Sequence, residues 1–125
     1  MTEALIIAAG GALGALARFW SANLVTQFMG AHFPYGIMLV NVVGSCLIGV
    51  AFVLLVEKVS AETLWRPFII VGVLGAFTTF STFSLQTLNL LEAGRMLAAG
   101  AYVTASVFLC LIGVSLGVAI TRAFN

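Results

Sequence analysis

The sequence predicts an all-α membrane protein with four transmembrane helices, the third of them broken inside the membrane. Three observations predict it. Of the 125 residues, 62% are hydrophobic and 7% charged, whereas a soluble domain needs roughly a quarter of its residues charged to clothe its surface. The apolar residues fall into four windows, each at or above the roughly 20 residues that a bilayer-spanning helix requires. One window also contains GAFTTFSTFSLQ, residues 75–86, which alternates hydroxyls with phenylalanines at a depth that disfavours hydroxyls.

The first window runs from about Ala4 to Phe28. It opens on Glu3 rather than on a basic n-region, so it reads as a membrane helix and not as a signal peptide. In GGALGALARFW, Gly10, Gly11 and Gly14 form a small-residue face that lets another helix approach closely. Arg18 then has two readings. It is an interfacial anchor beside Phe19 and Trp20, or a positive charge in an aqueous vestibule that draws in anions.

The second window runs from about Tyr35 to Val56 and contains YGIMLVNVVGSCLIGV. Asn41 is costly in hydrocarbon unless its amide finds partners. Gly44, Ser45, Ile48 and Gly49 follow it around the helix, so the polar group shares a face with small residues. That places Asn41 either in an interhelical hydrogen bond or in contact with an anion that its NH₂ group can bind.

The third window, about Leu64 to Leu91, is about 28 residues long against the roughly 20 a span needs. Tilt can absorb such excess, but Gly72, Gly75 and the TTFSTFS run favour a non-helical interruption, expected over Gly75 to Thr78. Broken helices persist at membrane depth only where they line a cavity or lie buried in protein. Phe80 and Phe83 are three residues apart, so a helix would project their rings from nearly one face, with Phe77 another three back. Such stripes usually serve packing. Here they alternate with hydroxyls, and the ring edge carries the positive end of the quadrupole. Ring edges with hydroxyl and amide donors suit a small anion that must be bound and then released.

The fourth window runs from about Met96 to Ala123. Tyr102, Ser106 and Cys110 fall at i, i+4 and i+8 on one stripe, with Thr104 and Ser115 off it. These hydroxyls read as helix glue, as back-bonds to their own carbonyls, or as rungs of a polar track. The breaks at Gly30 to Pro34, Glu57 to Glu62 and Glu92 to Arg95 are short, and 1–125 is expected to form a single domain.

The charges are nearly balanced across the bilayer. Four spans place Lys58, Arg66 and Arg122 on one side, against Arg95 and Arg18 towards the other. That bias is weak under the positive-inside rule, and both insertion in either orientation and a single weakly biased orientation remain open. Glu57 and Glu92 end their windows, while Glu3 and Glu62 lie outside, so no carboxylate stands mid-membrane for proton coupling. His32 stands alone, Cys46 and Cys110 read as small hydrophobes, and neither a His/Cys metal centre nor a disulfide is expected. The absence of a nucleophile with its base, of paired carboxylates and of a nucleotide loop argues against an enzyme.

Taken together, the chain length, GGALGALARFW, YGIMLVN and above all GAFTTFSTFS resemble the Fluc (CrcB) fluoride channels over the whole chain. The resemblance implies a fluoride-selective passive channel that releases toxic fluoride from the cytoplasm across a bacterial inner membrane. It implies an antiparallel, dual-topology homodimer with two pores, which agrees with the weak charge bias. It puts Asn41, Phe80, Phe83, Ser81, Thr82, Tyr102 and Ser106 along the fluoride pathway. It also implies a central structural Na⁺, not transported, held by the backbone carbonyls of Gly75 and Thr78 from both subunits. Three departures stand out: Cys110 where a serine is often found, Gln86 where some members carry Glu, and Ala76 with Phe77 after Gly75. The partners so implied are fluoride, a second copy and the lipid bilayer, with no nucleic acid. A four-helix multidrug-type exporter should show a membrane-embedded Glu early in the first helix, which is missing here. A non-transporting assembly subunit is the third reading.

Overall fold

The computed structural model describes residues 1–59 and 63–125. Four helical stretches, 2–29, 35–57, 67–92 and 96–123, are long and apolar enough to cross a membrane by length and composition. Ser60, Ala61 and Glu62, part of the second expected break, lie outside the described residues, as does the expectation that Glu62 sits beyond the membrane.

Helix α1 (Thr2–Met29) runs uninterrupted to Gly30. Gly30 has φ 84° and ψ 171°, a region that side chains with a Cβ avoid, and its amide closes the helix on the Thr26 carbonyl at 2.8 Å. Helix α2 (Tyr35–Phe52) starts after Pro34 and continues into a π-helical turn, Val53–Glu57. The third span starts as a π-helical segment, Pro67–Leu74, and tightens into α3 (Gly75–Phe77). After two extended residues it resumes as α4 (Phe80–Glu92). Gly94 (φ 77°) then turns the chain into α5 (Met96–Ala123).

Two close helix contacts set the architecture. α1 lies along the π-helical segment, where a Cβ on Gly14 would stand 2.1 Å from the Val73 carbonyl oxygen and one on Gly10 2.5 Å from that of Phe68. Gly11 does not share this contact, and a Cβ there would meet nothing within 4 Å. Gly10 and Gly14 are one turn apart, whereas Gly11 is rotated off their line, so the expected three-glycine face is a two-glycine seam. α2 lies along α5 in the same manner, with Gly49 against the Val114 backbone and Gly117 against that of Cys46. Such approaches let backbones touch where no hydrophobic effect drives helices together.

Most large apolar side chains point outward, and the interior is small. Val53 and Tyr102 are fully buried, and Tyr102 joins Phe83, Leu90 and Ala99 in the main cluster, with Phe33 and Met38 against it. At one end of the bundle Arg122 pairs with Glu57, tying the last turn of α5 to the π-helical turn after α2.

Candidate functional site

The interruption in the third span is two residues long and is held from outside that span. Thr78 (φ −82°, ψ 156°) and Thr79 (φ −151°, ψ 120°) are extended. Gly75 is helical (φ −62°, ψ −36°), as are Ala76 and Phe77, so the break starts three residues later than the expected Gly75 to Thr78 and shares only Thr78 with it. The reason is a single side chain on α2. Asn41 Oδ1 accepts from the Thr79 amide at 2.8 Å, and Asn41 Nδ2 donates to the Thr79 carbonyl at 3.0 Å. The amide that a continuous helix would aim at the Gly75 carbonyl is thereby turned away from it. Gly72 and Gly75 instead belong to the wound part of the span, where Gly75 donates to both Ile70 and Gly72.

Each side of the break has its own termination. Upstream, Arg18 Nη1 donates to the Ala76 carbonyl at 2.9 Å and lies 3.5 Å from that of Thr78. A cation is favoured there, at carbonyls left without helical partners. Downstream, Thr79 Oγ1 accepts from the Thr82 amide at 3.2 Å and caps α4. The same hydroxyl donates to Thr82 Oγ1 at 3.1 Å and lies 3.4 Å from Ser81 Oγ. The N-terminus of α4 therefore opens at membrane depth, with amide dipoles that favour an anion.

A cavity of about 380 Å³ lies against this break. Asn41, Gly75, Thr78, Phe80, Phe83 and Ser106 all line it, joined by Ser45 and Cys110. The Ser106 hydroxyl is buried and has no hydrogen-bond partner among the described residues, an expensive state for a donor in apolar surroundings. Of the three roles open to the fourth-helix hydroxyls, Ser115 takes the back-bond, to the Leu111 carbonyl at 2.8 Å. Ser106 does not.

The other expected residues stand around the cavity. The Phe80 and Phe83 rings are 5.4 Å apart and tilted by 49°, and Phe83 packs against Tyr102 at 5.1 Å with a 47° tilt. Tyr102 thus lies behind Phe83, and its hydroxyl donates to Gln86 Oε1 at 2.6 Å. Ser81, which is exposed, and Thr82, which is hydrogen-bonded to Thr79, do not line the cavity. Arg18 reaches the break from the α1 side. Phe83 is 8% exposed, whereas Phe80 is 77% exposed, on the open side of the cavity.

Sequence reasoning missed Thr79, which both receives the Asn41 clamp and caps α4. The spacing of Thr79 and Thr82 at the start of a helix was the available signal. The cavity brings together the Asn41 amide, hydroxyls, two phenylalanine rings and the N-terminus of α4. Among the described residues no group of three His, Cys, Asp or Glu side chains is placed to hold a metal.

Comparison with known proteins follows the same direction. Residues 5–118 match the family described as "CrcB-like protein, Camphor Resistance (CrcB)". A Hahella chejuensis protein named "Fluoride-specific ion channel FluC" is 48% identical over 116 residues, covering 93% of this chain and 91% of its own. Proteins of that name from Coxiella burnetii and Rhizobium etli are each 44% identical, over 119 residues (94% and 96% of the two chains) and 123 residues (98% of both).

Proposed function

The chain belongs to the CrcB family of fluoride-specific ion channels, and from that premise we propose that it is a passive fluoride channel exporting fluoride across a bacterial inner membrane. It is a multi-pass membrane protein and not an enzyme. The observation that carries the proposal is the Ser106 hydroxyl, buried without a partner in a cavity walled by Asn41, Phe80 and Phe83. Moving an unpaired ion into low dielectric costs on the order of tens of kcal/mol, so a pathway must replace the water it strips. Ser106 Oγ–H is one such replacement. The second N–H of Asn41 Nδ2, beyond the one given to Thr79, is another. Ring edges of Phe80 and Phe83 add attraction without a fixed charge that would trap the ion.

A second, antiparallel copy completes the pathway in this reading. Phe80 is exposed on the protomer face, Gly75 is exposed beside the break, and the weak charge bias permits both orientations. Two copies give two pores. Na⁺ fits the same region. Carbonyl oxygen suits a hard cation, and the Asn41 clamp diverts from the Gly75 carbonyl the amide that would have met it. Gly75 and Thr78 from both copies would hold the ion, which would supply fixed positive charge tying the two breaks together.

Fluoride efflux from proteoliposomes, read with a fluoride electrode, tests the proposal. Efflux above that of empty vesicles, with chloride retained, is the expected result, and no efflux overturns it. Replacing Na⁺ by a large organic cation should lower efflux and weaken the dimer, and indifference of both would remove the Na⁺ site.

A further inference from the structure

The cavity beside the break also holds a thiol. Cys110 lines it, one turn of α5 beyond Ser106, and side chains so spaced have Cβ atoms about 5–6 Å apart on one helix face. Cys110 is half-buried and free. Ser106 is 5% exposed, and its hydroxyl has no hydrogen-bond partner among the described residues. A sulfur and an uncommitted oxygen therefore share one wall of the chamber. Cys46, the other cysteine, does not line the cavity. It belongs to the α2–α5 seam, where its backbone lies against Gly117 and Gly113.

The surroundings decide what such a pair can hold. No other residue lining the cavity is ionisable, so nothing there serves as a base for the thiol proton. Oxidants and alkylating reagents act on the thiolate and gain no help at this position. A soft metal ion differs, because it displaces the proton as it binds. Zinc takes four ligands, drawn from Cys, His and carboxylates, and no group of three such side chains occurs among the described residues. A two-coordinate soft ion needs less: one sulfur, with an oxygen nearby as a weak further donor.

We propose that Cys110, assisted by Ser106 Oγ, is a binding site for soft, two-coordinate metal ions of the mercury(II) class, and that its occupation closes the pathway. With mercuric chloride the exchange is Cys110–SH plus HgCl₂ giving Cys110–S–HgCl, H⁺ and Cl⁻, and no electron is transferred. The neutral reactant enters apolar surroundings without the penalty that a bare ion meets. Bound there, the metal shares the cavity with Asn41, Phe83 and Ser106. It occupies the Ser106 lone pair and the volume that an anion would use. The closure rests on the channel reading above, whereas the binding does not.

Two measurements keep binding and closure apart. The intact mass of protein recovered from treated proteoliposomes counts bound mercury. Cys46→Ser, which keeps only Cys110, should carry one mercury per chain. Adding Ser106→Ala to it should speed release to excess mercaptoethanol about tenfold. No adduct in Cys46→Ser overturns the site, and an unchanged release rate removes Ser106 from it. Fluoride efflux from the same vesicles, each protein compared with its own untreated rate, reads closure. Micromolar mercuric chloride should abolish efflux in the wild type and in Cys46→Ser, with recovery in mercaptoethanol, and should not change the rate of Cys110→Ser. Equal inhibition of Cys110→Ser, or its loss in Cys46→Ser, overturns the assignment to Cys110. An adduct without inhibition overturns the closure alone. No efflux from any untreated protein overturns the channel reading and the closure with it, while the mass measurement still decides the site.

Discussion

Asn41 binds the backbone of Thr79 much as a neighbouring strand would, accepting from its amide at 2.8 Å and donating to its carbonyl at 3.0 Å. The side chain therefore shapes the cavity as well as lining it. Asn41→Asp retains the acceptor but removes the donor, leaving the Thr79 carbonyl facing a carboxylate. Loss of a buried donor costs about 1–3 kcal/mol, and the new negative charge repels an anion. Efflux should fall more than tenfold, with a lower melting temperature in detergent. Normal flux would show that the clamp is dispensable.

Phe80 and Phe83 should separate stability from transport. Phe83 is 8% exposed and packed at a tilt against both Phe80 and Tyr102, so Phe83→Ile loses aromatic contacts worth about 0.5–1.5 kcal/mol each. Phe80 is 77% exposed and loses one such contact, with Phe83, so Phe80→Ile should lower the melting temperature less than Phe83→Ile does. Both variants should lose fluoride efflux. Intact efflux in both would remove the rings from the pathway.

Ser106→Ala is the inverse case. The Ser106 hydroxyl is buried with no partner, so deleting it removes a desolvation cost of about 1–3 kcal/mol. The variant should melt at the same temperature or higher and conduct less. A destabilised variant with normal efflux would assign Ser106 to packing.

Gly14→Ala and Gly11→Ala make a matched pair on α1. A Cβ on Gly14 would stand 2.1 Å from the Val73 carbonyl oxygen, whereas one on Gly11 meets nothing within 4 Å. Overpacking of this kind costs about 1–3 kcal/mol, and an unopposed surface change stays within about 0.5 kcal/mol. Thermal melts of the two proteins should differ accordingly.

The ease of reading this sequence varied with the range of the forces involved. The span at Met96–Ala123 was legible because hydropathy and length alone define a membrane helix. The hydroxyl-rich run announced that the third span was interrupted. Its position was not legible, because it is fixed by Asn41, 38 residues away, and glycine content pointed to Gly75, three residues too early. Gly10 and Gly14 were legible as a contact face, but excluding Gly11 required the direction from which the third span approaches. Tyr102 was legible as part of a stripe. Its hydrogen bond to Gln86, which sends it behind Phe83, joins two helices and leaves no local signature. The pairing of His32 with Arg95 joins two loops and was invisible for the same reason.

The clamp on Thr79 also bears on the order of biogenesis. Local propensity disfavours Thr78 and Thr79 in a helix by only about 0.5 kcal/mol each, far less than leaving backbone groups bare in hydrocarbon. Before α2 has docked, the third span gains most by crossing the bilayer as one continuous rod. The break beside the cavity is then imposed by a neighbouring span rather than by the local sequence. The cavity beside the break therefore depends on the second span having found its place.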